Sequence, residues 1–413
     1  MAAKIIGNLF KFELIVLLVF LCSNLTLGQT QFTMLRLPDT GQSNSYTATF
    51  GEDNDYNIYV PFFIVNGNGT VTDTITTLLW QQKDGGEMTI ENASLYCDTL
   101  TLGGFTDWRL PNNQEAFSIL NHQFTNPALN TNVFTKTAAD YWWSSDKQVG
   151  DVSKVWCTNA GGGIGNHPKL ETISGGGTKK FHVRAVRNIG ERILDSHYSN
   201  FGNETLIDNA TKLLWQKTLF PTKLTWEQAL TYADTLSFAD YTDWRVPNIK
   251  ELHSIAETYC SNPAVNKAFF AISGKIKIWS STTLPNEIGK AWYLDTQYGI
   301  TTYDDKTNSN YLICVRGPFS LSTGLKLNSA AIKEISVFPN PASDLVAVQS
   351  DGLTTSNLKV ELFDMSGRLI QTSSIFQGSP IAYFDTRNLF SGEYIIKVSS
   401  ETELYIKKLV ITK

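Results

Sequence analysis

The chain has 413 residues, of which 42% are hydrophobic and 18% charged, and its formal net charge is -5 at pH 7. This length predicts two or three domains. An acidic balance without a basic cluster argues against nucleic acid as a partner, because such binding needs a dense positive footprint. It also gives no reason to expect affinity for anionic membranes.

The N-terminus has the pattern of an export signal. Lys4 and Lys11 precede an apolar core from Leu14 to Cys22, and small residues follow near Gly28. This pattern predicts a secretory signal peptide over residues 1–28. If cleavage follows Gly28, the apolar segment is too short for a transmembrane helix. Bulky residues stand before Cys22, so we do not predict a lipid anchor. We expect the mature chain to be exported without a transmembrane segment.

A lead-in from Gln29 to Val71 contains the acidic stretch GEDNDYN, Gly51 to Asn57. Alternating carboxylates and amides suit Ca²⁺, which prefers oxygen ligands, but the twelve-residue loop of an EF-hand with its final Glu is lacking. We therefore interpret the stretch as a solvated loop rich in Asx turns. Calcium is unsupported, and no cofactor is predicted.

The heptamer TDWRLPN at Thr106 to Asn112 returns as TDWRVPN at Thr242 to Asn248. A constant offset of 136 residues relates the surrounding positions, for example Trp108 to Trp244 and Trp156 to Trp292. Such an offset over a long run predicts two copies of one domain. We place the first copy, with the lead-in, at residues 29–190 and the second at 191–318.

Each copy is predicted to begin with a strand ending in Trp, followed by two helices. The strands are LLWQQ (Leu78 to Gln82) and LLWQK (Leu213 to Lys217). Thr89 and Thr225 are expected N-caps of the first helices, and Gln228 completes a capping box with Thr225. Asn112 and Asn248 should cap the second helices. Aromatic-rich short strands complete each copy, so we predict the α+β class.

A structural motif is predicted around the second helix of each copy. The indoles should be buried between helix and sheet, and each arginine should reach a carboxylate or carbonyls nearby. An arginine and indole that bind a ligand are the functional alternative. The residues of this motif are Trp108, Arg109, Glu115, Trp244, Arg245 and Glu251.

Four cysteines follow the signal peptide, and in an exported protein we expect them to form disulfides. Three pairings are open, and the simplest joins Cys97 to Cys157 and Cys260 to Cys314. The repeat alignment complicates this pairing. Cys97 aligns with Ala233 and Cys314 with Ala185, so each copy holds half of a bridge between a helix and the last strand.

A polar linker at residues 319–334 precedes a predicted β-sandwich at 335–413, with about seven alternating strands split by Asn-Pro and Ser-Gly turns. Its segments VFPNPASD (Val337 to Asp344), DMSGRLI (Asp364 to Ile370) and LFSGEYIIKV (Leu389 to Val398) resemble the type A C-terminal sorting domain of type IX secretion substrates. The resemblance implies an immunoglobulin-like sandwich that acts as a translocation address. It further implies passage across the outer membrane of a Gram-negative bacterium to the surface or medium.

The two copies resemble the Lcl C-terminal domain family. The motifs are LPDTGQ (Leu37 to Gln42), GEDNDY, NGNGTVTD (Asn66 to Asp73), the two WR-(L/V)-PN segments, and ICVR near Cys314. The resemblance implies a C-type-lectin-like fold and a surface adhesin that binds polyanionic glycans. Ala185 stands where the family often has Cys. The Glu-Pro-Asn and Trp-Asn-Asp signatures of calcium-bridged sugar binding are absent.

We therefore predict a secreted or cell-surface, non-catalytic, adhesin-like binding protein with glycan or protein ligands. Two linked copies would raise avidity. Because the chain is acidic, neutral sugars or proteins fit it as well as polyanions do. Candidate stacking residues are Tyr141, Trp142, Trp156, Tyr293 and Tyr298.

Two alternatives stay open. One is a structural surface or matrix protein. The other is an oxidase similar to the formylglycine-generating enzymes, which need a reactive cysteine pair, whereas Cys97 lies on a predicted helix with no thiol at its counterpart. The five histidines do not recur between the copies. We predict no enzyme activity and no catalytic or metal-ligating residues.

Overall fold

The computed structural model describes residues 32–56, 58–135, 140–170, 179–189, 198–318, 334–351, 358–365, 367–375, 381–399 and 404–413. The predicted signal peptide and almost all of the predicted linker lie outside these residues. In the described ranges, no helix has the length and apolar character needed to cross a membrane.

The first repeat folds its strands into two sheets. Its described strands are β1 (Phe63–Val65), β2 (Thr70–Asp73), β3 (Leu78–Gln81), β4 (Glu87–Met88), β5 (Tyr141–Gln148), β6 (Asp151–Asn159), β7 (Ile164–Pro168), β8 (Phe181–His182) and β9 (Val186–Asn188). One sheet has the order β1-β2-β3-β9 and the other β4-β8-β5-β6-β7. The predicted strand ending in Trp is β3, and its Trp80 pairs with Val186.

The second repeat follows the same plan. Its described strands are β10 (Tyr198–Gly202), β11 (Thr205–Asp208), β12 (Leu214–Gln216), β13 (Lys277–Thr283), β14 (Lys290–Asp295), β15 (Ile300–Asp305) and β16 (Val315–Arg316). The sheets have the orders β10-β11-β12-β16 and β13-β14-β15. Trp215 pairs with Val315, as Trp80 pairs with Val186 in the first repeat.

Four short helices begin at the predicted caps. They are α1 (Ile90–Thr99), α2 (Asn113–Ser118), α3 (Trp226–Asp234) and α4 (Ile249–Ser254). The Thr89 hydroxyl accepts from Asn92 N at 3.3 Å, and the Gln228 side chain accepts from Thr225 N at 3.0 Å. The predicted positions of the helices are therefore confirmed.

The predicted fold class is nevertheless wrong. Of the residues that the structure describes, 39% lie in strands and 10% in helices, with six small sheets, so the fold is β-rich rather than α+β with C-type-lectin-like domains. The physical reason is helix length. The helices run for only six to ten residues, whereas the aromatic segments after them pair into long hairpins.

The arginine of each repeated heptamer anchors the start of the following helix. Arg245 Nη1 and Nη2 each donate to Glu251 at 2.6 Å, and Asn248 and Glu251 form a capping box. Arg109 and Glu115 make the same bidentate pair at 2.7 Å. The Arg245 pair is buried, whereas the Arg109 side chain is 36% exposed.

The indoles of the motif are buried. Trp244 is 1% and Trp108 3% exposed. Their N–H groups donate to the carbonyls of Phe238 at 2.9 Å and Leu102 at 3.2 Å. The Trp and Arg of each heptamer therefore hold the loop before the helix against the sheet.

The two repeats contact each other through equivalent residues. Gln114 on α2 donates to the Ser254 carbonyl at 3.3 Å, and its counterpart Lys250 on α4 donates to the Ser118 carbonyl at 2.7 Å. The two contacts are equivalent, because each helix donates from the same position to the same carbonyl of the other copy. The interface of a dimer with two-fold symmetry shows this pattern. We call this region the repeat junction.

The repeat junction also contains apolar residues from both copies. Trp156 and its counterpart Trp292 pack there, and Ile164 N donates to Thr301 Oγ1 at 3.0 Å between β7 and β15. The buried members of the cluster are Phe117, Leu120, Trp156, Ile164, Ile249, Leu284 and Trp292. Because this core draws on both copies, neither repeat buries it alone.

The lead-in crosses from one repeat to the other. Phe32 and Met34 pack with Trp80 in the core of the first repeat. Further along, the Gln42 side chain donates to the carbonyls of His122 at 3.2 Å and Thr283 at 2.9 Å. The lead-in therefore fastens the two copies together.

The first half of the acidic stretch, Gly51 to Asp53, is buried, so the interpretation as a solvated loop was wrong there, whereas Asp55 is exposed. Glu52 and Asp53 are 1% and 2% exposed. Asp53 Oδ2 accepts from Thr40 at 2.8 Å and from Thr282 at 2.5 Å, which ties this stretch to the second repeat. In the part of the chain that the structure describes, no group of three or more His, Cys, Asp and Glu residues is arranged to hold a metal.

A buried lysine offsets part of this negative charge. Lys250 Nζ donates to the Asp39 carbonyl at 2.8 Å as well as to Ser118. Burial lowers the pKa of Lys250 to about 8, an effect that Asp39 opposes. Burial likewise raises the pKa of Asp39 to about 6. The repeat junction thus contains mutually compensating charges.

The predicted disulfides are not present. Cys97, Cys157, Cys260 and Cys314 are free thiols. Cys97 shares its core with Ala185, and Cys314 shares the equivalent core with Ala233. Each copy therefore places one thiol at a position where a bridge needs two. Cys157 lies in the same core as Cys97 without being bonded to it.

The C-terminal region forms two sheets around a separate core. Its described strands are β17 (Glu334–Phe338), β18 (Leu345–Asp351), β19 (Leu358–Asp364), β20 (Leu369–Ile375), β21 (Ile381–Asp385), β22 (Gly392–Ser399) and β23 (Leu404–Ile411). The sheet orders are β17-β18-β21 and β20-β19-β22-β23. The strands therefore agree in number with the prediction for this region.

Replacing each heptamer arginine by methionine should destabilise the protein unequally. Arg245→Met leaves Glu251 buried without its partner, so we expect a loss of about 3–5 kcal/mol in the free energy of unfolding. Arg109→Met should cost less, because solvent screens the half-exposed arginine. Urea unfolding of the mature chain measures both, and equal losses would contradict the burial argument.

Lys250→Gln introduces the residue that the first repeat carries at this position. The amide can still reach Ser118, but the bond to Asp39 and the compensating charge are lost. We expect the free energy of unfolding to fall by about 1–3 kcal/mol. Lys267 is exposed, so Lys267→Gln is the matched control and should change stability by less than about 0.5 kcal/mol. If Lys250→Gln left the free energy of unfolding unchanged, the buried amine would be dispensable.

Thiol counting checks the absence of disulfides. Cys97, Cys157, Cys260 and Cys314 should all react with an alkylating reagent in denaturant without any reductant, because all four are free in the structure. In the native state Cys260 should react before the others, since it alone of the four is not buried. A peptide map showing any of the four oxidised would contradict this expectation.

A candidate binding cleft on the first repeat

An open cleft with a volume of about 560 Å³ lies on the first repeat. We call it the Tyr96 cleft. It is lined by Gly69, Gln81, Gln82, Lys83, Asp84, Gly85, Gly86, Tyr96 and Leu102. Its volume falls within the range of about 300–1,000 Å³ that is common for small-ligand sites.

The cleft forms where β3 ends and the chain turns toward α1. Gly85 N donates to the Val183 carbonyl at 2.8 Å, and Val183 N donates to the Gly86 carbonyl at 3.2 Å. These bonds hold the loop against Tyr96 of α1. A Cβ atom on Gly85 would lie 2.6 Å from Tyr96 Cζ, so any side chain at this position would have to displace the Tyr96 ring.

Hydrogen bonds fix the polar groups at the base of the cleft. Gln81 Nε2 donates to the Tyr96 hydroxyl at 2.6 Å, and Gln81 Oε1 accepts from Ala185 N at 3.1 Å. The amide is therefore held at both ends. Because the Tyr96 oxygen accepts this bond, its own hydrogen stays available for donation.

A charged group supports the wall behind the cleft. Asp84 Oδ1 lies 3.0 Å from His182 Nδ1, and Asp84 Oδ2 lies 3.7 Å from Arg184 Nη2. Arg184 Nη1 also donates to the carbonyls of Gln81 and Gln82. Burial lowers the pKa of Arg184 to about 10, and Asp84 opposes this shift. Lys83 is exposed at the rim.

The second repeat fills the corresponding position with a phenylalanine. Phe220 N donates to the Leu312 carbonyl at 2.8 Å, which is the bond that Gly85 makes to Val183 in the first repeat. The Phe220 ring packs on Tyr232, the counterpart of Tyr96, with ring centroids 4.3 Å apart. The same backbone therefore carries an open site in one copy and a packed aromatic pair in the other.

The groups assembled at the cleft suit binding by hydrogen bonds. Amide, hydroxyl, carboxylate and amine groups surround a half-buried tyrosine ring, a combination that can hold a polar ligand with some apolar surface. Neighbouring Cys97 is turned into the core, and burial raises the pKa of its thiol to about 12.

The predicted stacking residues lie elsewhere. Trp142, Trp156 and Tyr293 are buried, at 7%, 2% and 7% exposure. Tyr141 is half-buried and stacks on Phe181 with centroids 4.7 Å apart, and Tyr298 is half-buried at the repeat junction. None of these residues lines the Tyr96 cleft.

Sequence reasoning missed the residues of the cleft. A signal was available, because Gly85 and Gly86 of the first copy align with Phe220 and Pro221 of the second. A local loss of bulk between two otherwise similar copies indicates an opening. The length difference of one residue between the copies in this loop concealed it.

Family models match three parts of the chain. The Lcl C-terminal domain matches residues 69–187 and 204–316, and the secretion system C-terminal sorting domain matches residues 336–412. The Lcl matches together cover more than half of the chain.

Two individual proteins are also similar. Ulvan lyase NLR42 of Nonlabens ulvanivorans is 29% identical over 140 residues, which is 33% of this chain and 25% of that protein. The chain therefore spans about a quarter of that relative's length. The crystal structure of dimeric latent PorU from Porphyromonas gingivalis matches with a TM-score of 0.17 and 15% identity, over 30% of this chain and 12% of that one. At that score the likeness carries no argument.

The sorting domain directs proteins to the type IX secretion machinery, which releases them at the cell surface or beyond it. The chain thus belongs to the Lcl C-terminal domain family, with two copies of that domain ahead of a type IX sorting domain, and is a secreted protein.

Proposed function

We propose that the secreted chain is a non-catalytic, adhesin-like binding protein whose first repeat holds a saccharide in the Tyr96 cleft. The observation that carries this proposal is the contrast between the repeats. Two copies share one backbone, yet the Phe220 ring packs on Tyr232 whereas Gly85 meets Tyr96 with its backbone alone. A protein with a purely structural role would gain stability by packing both copies alike.

The chemistry of the cleft favours a sugar. Saccharides present hydroxyl groups that both donate and accept, and Gln82 and the Tyr96 hydroxyl line the cleft with complementary groups. The apolar C–H face of a sugar ring packs on aromatic rings. The similarity to ulvan lyase NLR42 also supports a carbohydrate-related role. That similarity covers a quarter of the length of the lyase.

The pKa shifts of the cysteine and histidine side chains favour binding over catalysis. Burial raises the pKa of the Cys260 thiol to about 11 and of the Cys97 thiol to about 12, so both are protonated at neutral pH. A protonated thiol is a weak nucleophile. Burial lowers the pKa of His122 and His253 to about 3. These groups lie outside the Tyr96 cleft.

Glycan-array binding of the mature chain, followed by calorimetry on the saccharides it retains, tests the proposal. Tyr96→Phe should weaken binding about fivefold, because it removes one hydrogen bond worth about 1 kcal/mol. Gly85→Phe, which inserts the second repeat's own residue, should abolish binding. Tyr232→Phe makes the same chemical change in the filled copy and should leave affinity unaltered.

Two results would overturn the proposal. Saccharide binding that survives Gly85→Phe in a folded protein would place the site elsewhere. If product analysis showed that the wild-type chain converts a bound saccharide, the protein would be an enzyme. A third result would change only the ligand class. In that case the protein binds no glycan but binds a protein partner, and Gly85→Phe abolishes this binding.

A further inference from the structure

The sorting domain has one sheet face that is covered although its pattern places it toward solvent. On β19, Val360 and Leu362 belong to the domain's core, so Glu361 between them points to the opposite face. On β22, Ile396 and Val398 belong to the core and Lys397 points outward in the same way. Outward charged residues of an antiparallel sandwich ordinarily contact water.

These outward residues are nevertheless buried. Glu361 is 6% and Lys397 7% exposed, and outward-facing Phe363 is 2% exposed. Lys408 on neighbouring β23 has a side chain that is 57% exposed. Burial is therefore confined to one patch of the outer face, which we call the Lys397 patch and define as Glu361, Phe363 and Lys397.

The first repeat contributes polar partners to this patch. Lys397 Nζ lies 3.3 Å from Asn66 Oδ1 and 3.5 Å from Thr72 Oγ1, and it lies 3.4 Å from Glu361 Oε2. Asn66 follows β1 and Thr72 lies on β2. The backbone at Gly367 also approaches the Phe63 carbonyl so closely that a Cβ would lie 3.0 Å from that oxygen.

The charge arrangement fits a specific contact. Glu361 and Lys397 are direct cross-strand partners. Burial lowers the pKa of Lys397, and Glu361 opposes the shift. A buried ion pair is tolerated when further hydrogen bonds satisfy its remaining atoms. Asn66 and Thr72 provide such bonds from the other domain.

The contact is incomplete beside the patch. A gap of about 210 Å³ separates the two domains there, with Phe105 and Arg187 on the repeat side and Lys359 and Ser399 on the sorting-domain side. An interface that is polar and only partly packed resembles separable domain contacts more than a shared core.

We propose that the sorting domain docks on the β1–β2 hairpin of the first repeat through the Lys397 patch, as an intramolecular partner that can detach. Docking protects Lys397 while the tail is attached. Loss of the tail uncovers Asn66, Thr72 and the adjoining Phe105 and Arg187 surface on the mature passenger. The proposal does not depend on what the Tyr96 cleft binds.

Lysine footprinting of the intact chain with an amine-reactive reagent and mass spectrometry tests the proposal. Lys397 should react about tenfold more slowly than Lys408, since a factor of ten corresponds to about 1.4 kcal/mol of docking free energy. Asn66→Lys places a second cation against Lys397 and should remove this protection. Phe201→Lys is the control, because Phe201 is the exposed counterpart of Asn66 in the second repeat.

Two outcomes would overturn the proposal. If Lys397 reacts as fast as Lys408 in the intact wild-type chain, the patch is not covered. If Asn66→Lys leaves the protection of Lys397 unchanged, the burial arises within the sorting domain itself. Circular dichroism of each variant establishes that a change in reactivity reflects undocking and not unfolding.

Discussion

The structure depends on the packing of α2 against α4 across the repeat junction. Helices of six residues do not persist alone in water, because nucleation costs more than so few hydrogen bonds return. Here each helix is held at its start by an arginine and glutamate pair and on its face by the other repeat. Neither copy supplies all of these contacts, so the tandem arrangement completes the packing of both helices.

The repeat junction is symmetric in shape but not in chemistry. Gln114 and Lys250 occupy equivalent positions and reach equivalent carbonyls, yet only the lysine carries charge. The acids of the lead-in, Asp39 and Asp53, make that charge tolerable. The lead-in therefore belongs to the junction as much as either repeat does.

The same divergence between copies accounts for the candidate site. Once the junction and cores are secured by both repeats, one copy can lose packing without unfolding the whole. The first repeat lacks the ring that Phe220 places on Tyr232, and the Tyr96 cleft lies beside Gly85 and Gly86. Gly69 at the tip of the β1–β2 hairpin also lines this cleft, while Asn66 and Thr72 of the same hairpin contact the sorting domain. One hairpin thus joins the proposed ligand site to the proposed docking surface.

The sequence by itself determined the duplication, the helix starts and the sorting domain. These depend on local signals, namely the repeated heptamer, Asn112 and Asn248 with their glutamates, and the motifs of the last strands. It could not determine the β-rich class, the free thiols or the cleft. The thiols and the acidic stretch depend on residues that meet across long separations: Cys97 meets Ala185, and Asp53 meets Thr282. No local pattern records a partner more than 80 residues away. The cleft depends on packing, because the Phe220 ring lies on Tyr232 whereas Gly85 has no side chain to place on Tyr96.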